Sequence, residues 1–165
     1  MSSLPEHRLD ARGPAPACRR VLILSADVGE GHDSAARTLA AELEAGGAEV
    51  TVRDGLAALG RLLQHVIRDG SRLQFERYPW MFGPVYVLLM HIAPVRWLAE
   101  RVLFWLGARG LLRVIHEHEP DVVVSTYPGL TSVLGRLRRR GRLGVPACSA
   151  ILDLTSFPFW TSRGV

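Results

Sequence analysis

Residues 21–43, VLILSADVGEGHDSAARTLAAEL, contain the pattern that decides the fold. The opening apolar run is typical of a parallel strand that is buried on both faces. Gly29 and Gly31 then form a loop that a ligand can approach closely, and Asp33 or Ser34 can cap the helix that follows. In an open α/β sheet this first turn lies at the carboxyl edge, where backbone N–H groups and the helix dipole favour ligand binding.

His32 stands at the mouth of this turn, where an ionisable side chain reaches a bound substrate. The alternative is an ordinary strand–loop–helix connection with a surface histidine, and a single Gly-x-Gly does not decide between the two. A Walker A loop is excluded because no Lys-Ser/Thr follows the second glycine. A dinucleotide site is weakly supported, since Ser34 replaces its third glycine and only Asp54 ends the second strand with an acidic residue.

The rest of the chain alternates between strand and helix patterns, which predicts an α/β fold with a parallel sheet. The predicted elements are strands at 49–53, 122–126 and 145–151 and helices at 56–75 and 130–140. Pro128-Gly129 closes the strand before the last helix. Three strand ends then bring His32, Thr126-Tyr127 and Asp153 to one edge of the sheet, which strengthens the prediction of a site there.

Three segments resemble one family in order and spacing. ILSADVGEGHDSAA resembles the N-terminal loop of diacylglycerol glycosyltransferases, which comprise plant-type monogalactosyldiacylglycerol synthases and bacterial processive diacylglycerol glucosyltransferases of glycosyltransferase family 28. Residues 122–141, VVVSTYPGLTSVLGRLRRRG, and 151–165, ILDLTSFPFWTSRGV, resemble two later motifs of that family. The chain departs from the family pattern at Leu152, where threonine is usual, and at Phe157, where many members have histidine.

The resemblance implies a fold and a reaction. The fold is a Rossmann-like parallel sheet flanked by helices, the N-terminal half of a GT-B glycosyltransferase. The reaction transfers a hexose from a UDP-sugar to diacylglycerol or a related lipid acceptor, with His32 as the base and Asp153 orienting the imidazole or the acceptor hydroxyl. For Asp153, a simple helix-capping role is an equal alternative. The residues implied to bind the acceptor are Gly29, Gly31, Tyr127 and Pro128; no metal and no cofactor are expected.

Chain length and the N-terminal composition define the expected domain organisation. Residues 1–19 contain three prolines and no apolar core of signal-peptide length, so we expect a disordered tail. We expect residues 20–165 to form one acceptor-binding domain and the family's C-terminal donor-binding domain to be absent. We therefore expect the chain to be inactive alone and to meet a UDP-sugar only with a separate donor domain. The alternative is a non-catalytic lipid- or membrane-binding module derived from the same fold.

The middle of the chain is predicted to contact a membrane. Residues 78–95 carry no formal charge, but their prolines argue against a straight spanning helix. Tryptophan and arginine then share an amphipathic segment, a pattern typical of helices in a bilayer interface, although core helices packed on the sheet are the alternative. The resemblance favours a membrane-associating region at about 72–112, on a cytoplasmic protein held peripherally at the inner face of the cell membrane. The predicted membrane contacts are Trp80, Trp97 and Trp105.

The charge of the chain limits its expected binding partners, and its cysteines limit the expected disulfide and metal sites. A net charge of +4 suits an anionic membrane surface. The arginine-rich run at 136–142 is either a solvated helix end near the C-terminal dipole or an anionic-lipid patch. No aromatic stacking platform accompanies it, so nucleic acid is not expected. Cys18 and Cys148 are isolated and indicate neither a disulfide framework nor a zinc site.

Overall fold

The computed structural model describes residues 19–28, 30–152, 159–160 and 162–165. Its strands are β1 (Arg20–Ser25), β2 (Glu49–Asp54), β3 (Val122–Ser125) and β4 (Ala147–Ser149). Its helices are α1 (Glu30–Ala45), α2 (Gly55–Leu59), α3 (Arg61–Glu76), α4 (Phe82–His91), α5 (Ala93–His118) and α6 (Pro128–Arg139), with a 3-10 turn at Pro79–Met81 before α4.

The four strands form one parallel sheet in the order β2-β1-β3-β4. β1 lies inside the sheet, and Val21 is in register with Val50 of β2 and with Val122 of β3. From β1 the chain crosses to β2 on one side, whereas β3 lies on the other side and leads to β4. The order therefore changes direction between β1 and β3. This confirms the predicted α/β, Rossmann-like parallel sheet flanked by helices.

Alternate residues of β1 face two different apolar layers. Val21 and Ile23 pack with α1, and Leu22 and Leu24 pack with α2, α5 and α6 on the opposite face. Leu22, Ile23 and Leu24 are fully buried. Since full burial of such a side chain contributes about 1.5–3 kcal/mol, this one strand anchors both layers.

Three predicted boundaries are wrong, each for a local reason. α1 begins at Glu30, before the predicted caps Asp33 and Ser34. The helix predicted at 56–75 is two helices, because Asp54 caps α2 by accepting hydrogen bonds from two of its backbone N–H groups and Gly60, with φ of 106°, separates α2 from α3. Pro128 opens α6 instead of closing the strand, since proline needs no N–H partner in a first helical turn.

Two glycines set the close approach of α5 to α2. A Cβ added at Gly110 would overlap the backbone carbonyl oxygen of Ala58, and one added at Gly107 would overlap the side chain of Leu59. Because α2 also packs on β1, these glycines fix the distance of α5 from the sheet.

No single helix in the described part of the chain is long and apolar enough to cross a membrane. The segment from Pro79 to Leu88 and helix α5 meet the length and composition criteria only as a pair, and the pair is bent by 96°.

We predict that Gly110→Ala destabilises the fold, although alanine favours helix more than glycine does. Overlap with a backbone carbonyl cannot be relieved by a rotamer change, so we expect a loss of about 1–3 kcal/mol in the free energy of unfolding. The matched control is Gly70→Ala in α3, where an added Cβ meets nothing within 4 Å. It should be neutral or stabilising by up to about 1 kcal/mol. Urea unfolding followed by circular dichroism measures both, and equal effects would refute the close approach.

Candidate functional site

The site is built where two strand-to-helix turns meet. β1 ends at Ser25 and leads to α1, and β3 ends at Ser125 and leads through Thr126 and Tyr127 to α6. The backbone N–H of Thr126 donates to the carbonyl of Leu24 at 3.1 Å, so the strand pairing extends into the second turn. The two turns therefore lie side by side at the carboxyl edge, at the point where the strand order changes direction.

His32 spans the gap between these turns. Its Nδ1 lies 2.7 Å from the carbonyl oxygen of Thr126, and the Thr126 hydroxyl donates to the backbone carbonyl of His32 at 3.4 Å. A carbonyl can only accept, so in the neutral ring Nδ1 carries the hydrogen and Nε2 has the free lone pair. The imidazole is held by one nitrogen and offers the other as a proton acceptor.

Tyr127 packs against the imidazole edge to face. The two ring centroids are 5.5 Å apart with an interplanar angle of 90°, a favourable aromatic geometry. Burial raises the pKa of the Tyr127 phenol to about 12, so the tyrosine that packs on His32 is uncharged. A Cβ added at Gly129 would lie 2.7 Å from the tyrosine ring, so glycine is needed at that position.

A second polar contact ties α1 to the sheet. The Ser25 hydroxyl, at the end of β1, donates to the carboxylate of Asp33. Asp33 lies in the first turn of α1, where the helix dipole favours a negative charge. The aspartate therefore fixes the helix beside His32, although it does not cap the helix as predicted.

A cleft of about 390 Å³ opens beside Asp33, at the carboxyl ends of β1 and β2. Asp27 forms an ion pair of 2.7 Å with Arg68 of α3, and Asp33 lies 4.0 Å from Arg37. Within the described residues no group of three or more histidine, cysteine or acidic side chains is arranged to hold a metal ion. The cleft is lined by Ser25, Asp27, Asp33, Arg37, Val52, Arg53 and Asp54.

The structure argues against a dinucleotide site, because Asp54, its acidic residue, is bound to other groups. One carboxylate oxygen of Asp54 accepts the backbone N–H groups of Leu56 and Ala57, and the other accepts the side-chain amide of Gln64 at 3.1 Å. One oxygen is engaged in the α2 cap and the other by Gln64 of α3, so Asp54 is not free to bind a ribose.

The other predicted site residues have different placements. Gly29 and Asp153 lie outside the described residues. Gly31 is exposed in the first turn of α1, and a Cβ there would meet nothing within 4 Å. Pro128 is buried at the start of α6. The structure thus brings His32 and Tyr127 together, and it adds Ser25, Asp33 and Gly129. In the sequence, Ser25 and Gly129 are marked only by their position near strand ends, and Asp33 only as a candidate helix cap.

The three predicted membrane tryptophans are all exposed. Trp80, Trp97 and Trp105 have 70%, 55% and 67% of their surface accessible, and the Arg101 guanidinium lies 5.2 Å from the Trp97 ring centroid. α5 has two faces: one is buried against the fold through Phe104, Gly107, Ala108, Leu111 and Ile115, and the other exposes Leu98, Val102, Trp105 and Leu106. These three tryptophans are therefore not buried in the core, as the alternative of core helices packed on the sheet would require.

α3 exposes a further apolar stripe that sequence reasoning missed. Leu62, Val66 and Leu73 are 66%, 62% and 56% accessible, and their spacing places them on one face of the helix. The signal was present in the sequence as apolar residues four and seven positions apart among arginines.

The arginine-rich run fits neither predicted environment fully. Arg136 forms an ion pair of 3.4 Å with Glu100, and Arg140 lies over the Phe104 ring, so both tie α6 to α5. Burial lowers the pKa of Arg136, and Glu100 opposes that shift. Arg138 donates to the Val145 carbonyl at 2.6 Å, and Arg139 donates to the Ser162 hydroxyl at 3.1 Å. Through these contacts the arginine-rich run holds α6 against α5 and against the segments around Val145 and Ser162.

Comparisons with known proteins identify what the chain is similar to. Residues 32–165 match the family model described as monogalactosyldiacylglycerol (MGDG) synthase. The chain is 25% identical over 151 residues to the processive diacylglycerol beta-glucosyltransferase of Bacillus subtilis (strain 168) and 24% identical to that of Bacillus licheniformis. Each alignment covers 89% of this chain but only 38% of the relative. No solved structure matches significantly.

We predict that the buried phenol makes stability fall in alkali. An unfolded tyrosine ionises near pH 10, whereas the folded pKa is about 12, so the contribution is intact below pH 10 and is lost as the pH rises towards 12. At pH 11 the loss should be about 1 kcal/mol relative to pH 8. Tyr127→Phe keeps the ring and should remove this loss. Urea unfolding at the two pH values checks it, and identical losses in both proteins would show that the phenol is solvated.

Proposed function

Because the chain belongs to the monogalactosyldiacylglycerol synthase family, we propose that it is the acceptor-binding part of a GT-B glycosyltransferase that transfers a hexose to diacylglycerol. The relatives named processive diacylglycerol beta-glucosyltransferase are much longer, and the chain aligns with 38% of their length. The UDP-sugar would then be bound by a donor domain outside these residues.

The observation that carries this proposal is the hydrogen bond between His32 Nδ1 and the Thr126 carbonyl. An alcohol is a weak nucleophile at neutral pH, so a base must take its proton as the new bond forms. Nε2 of His32 takes the hydroxyl proton, the acceptor oxygen bonds to the anomeric carbon, and the bond from that carbon to the diphosphate breaks. UDP leaves with the bonding electrons, so no metal or redox step is needed to balance the reaction.

The cleft beside Asp33 supplies groups suited to the polar end of the acceptor. Carboxylate oxygens accept hydrogen bonds from hydroxyls, and Asp27 and Asp33 are both held in place by neighbours. Arg37 supplies donors on the same wall. A hydroxyl group suits this mixed lining better than a phosphate, since an anion would face three aspartates.

The exposed apolar faces of α3 and α5 support peripheral binding to a membrane. We define the membrane face as the exposed apolar residues Leu62, Val66, Leu73, Trp80, Trp97, Leu98, Val102, Trp105 and Leu106. Tryptophan favours the interface between headgroups and acyl chains, and neighbouring arginines attract anionic lipid. The proposed location is the inner face of the cell membrane. α3 also carries Arg68, which is paired with Asp27 of the cleft, so the membrane face and the polar cleft share one helix.

We predict that His32→Ala abolishes transfer. The assay uses the chain expressed with the reading frame that follows Val165 in the genome, diacylglycerol vesicles, and radiolabelled UDP-glucose or UDP-galactose. Removal of a general base should lower the rate about 10²–10⁴-fold with little change in vesicle binding. The chain without the downstream residues should show no turnover.

The matched control is His118→Ala. His118 also has its Nδ1 close to a backbone carbonyl, that of Val114 at 2.8 Å, but its Nε2 accepts from Arg53 at 3.0 Å. It lies at the end of α5 before β3, near the amino edge of the sheet. It should keep transfer within about twofold. Unchanged transfer in His32→Ala would remove His32 as the base, and turnover by the chain alone would refute the half-enzyme proposal. If the chain binds vesicles but gives no transfer with any donor domain supplied, the non-catalytic lipid-binding module would be favoured.

We predict that vesicles quench some tryptophans and spare another. Brominated lipids should quench the fluorescence of Trp80, Trp97 and Trp105 but not that of Trp160, which is buried in the fold. Single-tryptophan variants, with phenylalanine at the other positions, resolve the four signals.

Trp105→Glu should weaken flotation with anionic, diacylglycerol-containing vesicles about 10-fold or more, since burial of a large apolar side chain contributes about 1.5–3 kcal/mol. Thr38→Glu introduces the same charge on α1, which packs on the opposite face of the sheet, and should bind as the unmodified chain does. Failure to float with any vesicle composition would refute the membrane proposal.

A further inference from the structure

Hydroxyl side chains are concentrated in the interior beneath His32. Ser125, Thr126 and Thr131 are all fully buried. A buried hydroxyl is costly unless it is hydrogen bonded, so the partners of these groups explain why they are there.

Ser125 holds the peptide group that binds His32. The carbonyl of Thr126 and the N–H of Tyr127 belong to the same planar peptide unit. The carbonyl accepts from His32 Nδ1 at 2.7 Å, and the N–H donates to the Ser125 hydroxyl oxygen at 3.3 Å. Fixing the N–H therefore fixes the direction of the carbonyl.

The next carbonyl along the chain is also held by hydroxyl groups. The Tyr127 carbonyl accepts from the hydroxyl of Ser125 at 2.9 Å and from the hydroxyl of Thr131 at 3.2 Å. The Thr131 hydroxyl lies 3.0 Å from that of Ser149 on β4. The turn from β3 to α6 is thus fixed on both sides of Tyr127 by side chains from β3, α6 and β4.

Helix capping does not account for the placement of Ser125. Tyr127 is the N-cap residue of α6, and no side chain caps it. Ser125 bonds to both backbone groups of Tyr127 and not to the free N–H groups of the first turn of α6. The hydroxyl therefore orients the turn that carries the His32 contact.

We propose that Ser125 and Thr131 are positioning residues for His32, holding the peptide units on the two sides of Tyr127 so that the Thr126 carbonyl keeps the imidazole in the Nδ1–H form with Nε2 free. The inference rests on the proposed role of His32 as the base, but the tautomer can be measured without any transfer reaction. Neither residue touches the reacting atoms; both act through the backbone around Tyr127.

The test is long-range ¹H–¹⁵N NMR of the histidine side chains in the chain itself, at a pH where the imidazoles are neutral. The His32 signal is assigned by its loss in His32→Ala. In the unmodified chain His32 should be predominantly Nδ1–H, the opposite of the form that a free histidine side chain favours in water. In Ser125→Ala and in Thr131→Val the signal should shift to a mixture of the two forms, and Thr131→Ser should restore it.

Thr38→Val is the matched control. Thr38 makes the same hydroxyl-to-carbonyl bond four residues back, at 3.0 Å from the Ser34 oxygen, on the surface of α1. It should leave the His32 tautomer unchanged. Circular dichroism and amide spectra establish which variants are folded, and the Thr131→Val and Thr131→Ser pair decides the matter if Ser125→Ala does not fold.

Two results separate this inference from the proposed function. An unchanged His32 tautomer in folded Ser125→Ala and Thr131→Val would overturn the positioning role, whatever the transfer assay gives. The expected tautomer shift together with full transfer by His32→Ala would support the positioning role and refute the base. In the completed enzyme, Ser125→Ala should lower the turnover number about 10-fold with little change in KM, because binding of the acceptor is not altered.

Discussion

The structure depends on the pairing of β1 with β3 inside the sheet. β1 is buried on both faces, so its position is fixed by two apolar layers as well as by two hydrogen-bonded neighbours. β3 is far away in sequence, yet the pairing places its final turn against the turn that follows β1. The contact between His32 and the Thr126 carbonyl, which joins residues 94 positions apart, follows directly from this register.

A histidine held by its Nδ1 on a backbone carbonyl has a defined free nitrogen. The free nitrogen stays defined only while the carbonyl keeps its orientation. Here the Thr126 carbonyl belongs to a peptide whose N–H is bound by Ser125, and Thr131 binds the next carbonyl along the chain. The chemistry proposed for His32 therefore depends on buried hydroxyls that never reach the substrate. Tyr127 completes the arrangement as a neutral ring packed against the imidazole edge.

The two faces of α5 lie in different environments, one in the core and the other exposed. Gly107 and Gly110 let one face approach α2 closely, and the residues between and after them complete the core. The same 26-residue helix turns Trp105 and its apolar neighbours outward. Because one face is fixed against α2 and α6, the other face keeps its apolar residues exposed, as the proposed membrane contact requires.

The sequence alone determined the α/β class, the parallel strands and the pairing of the His32 and Tyr127 turns, because buried strands and strand-end motifs follow local periodicity. It did not determine where α1 begins or that Gly60 divides α2 from α3. It also did not show that Asp54 caps α2. These features depend on which of several possible hydrogen-bond partners each group takes. The arginine-rich run could not be resolved either, because the partners of Arg136 and Arg138 come from other elements. The hydroxyls beneath His32 are ordinary serines and threonines in the sequence. Only the tertiary structure brings β3, α6 and β4 close enough for those hydroxyls to fix the backbone around Tyr127, and with it the nitrogen that His32 leaves free.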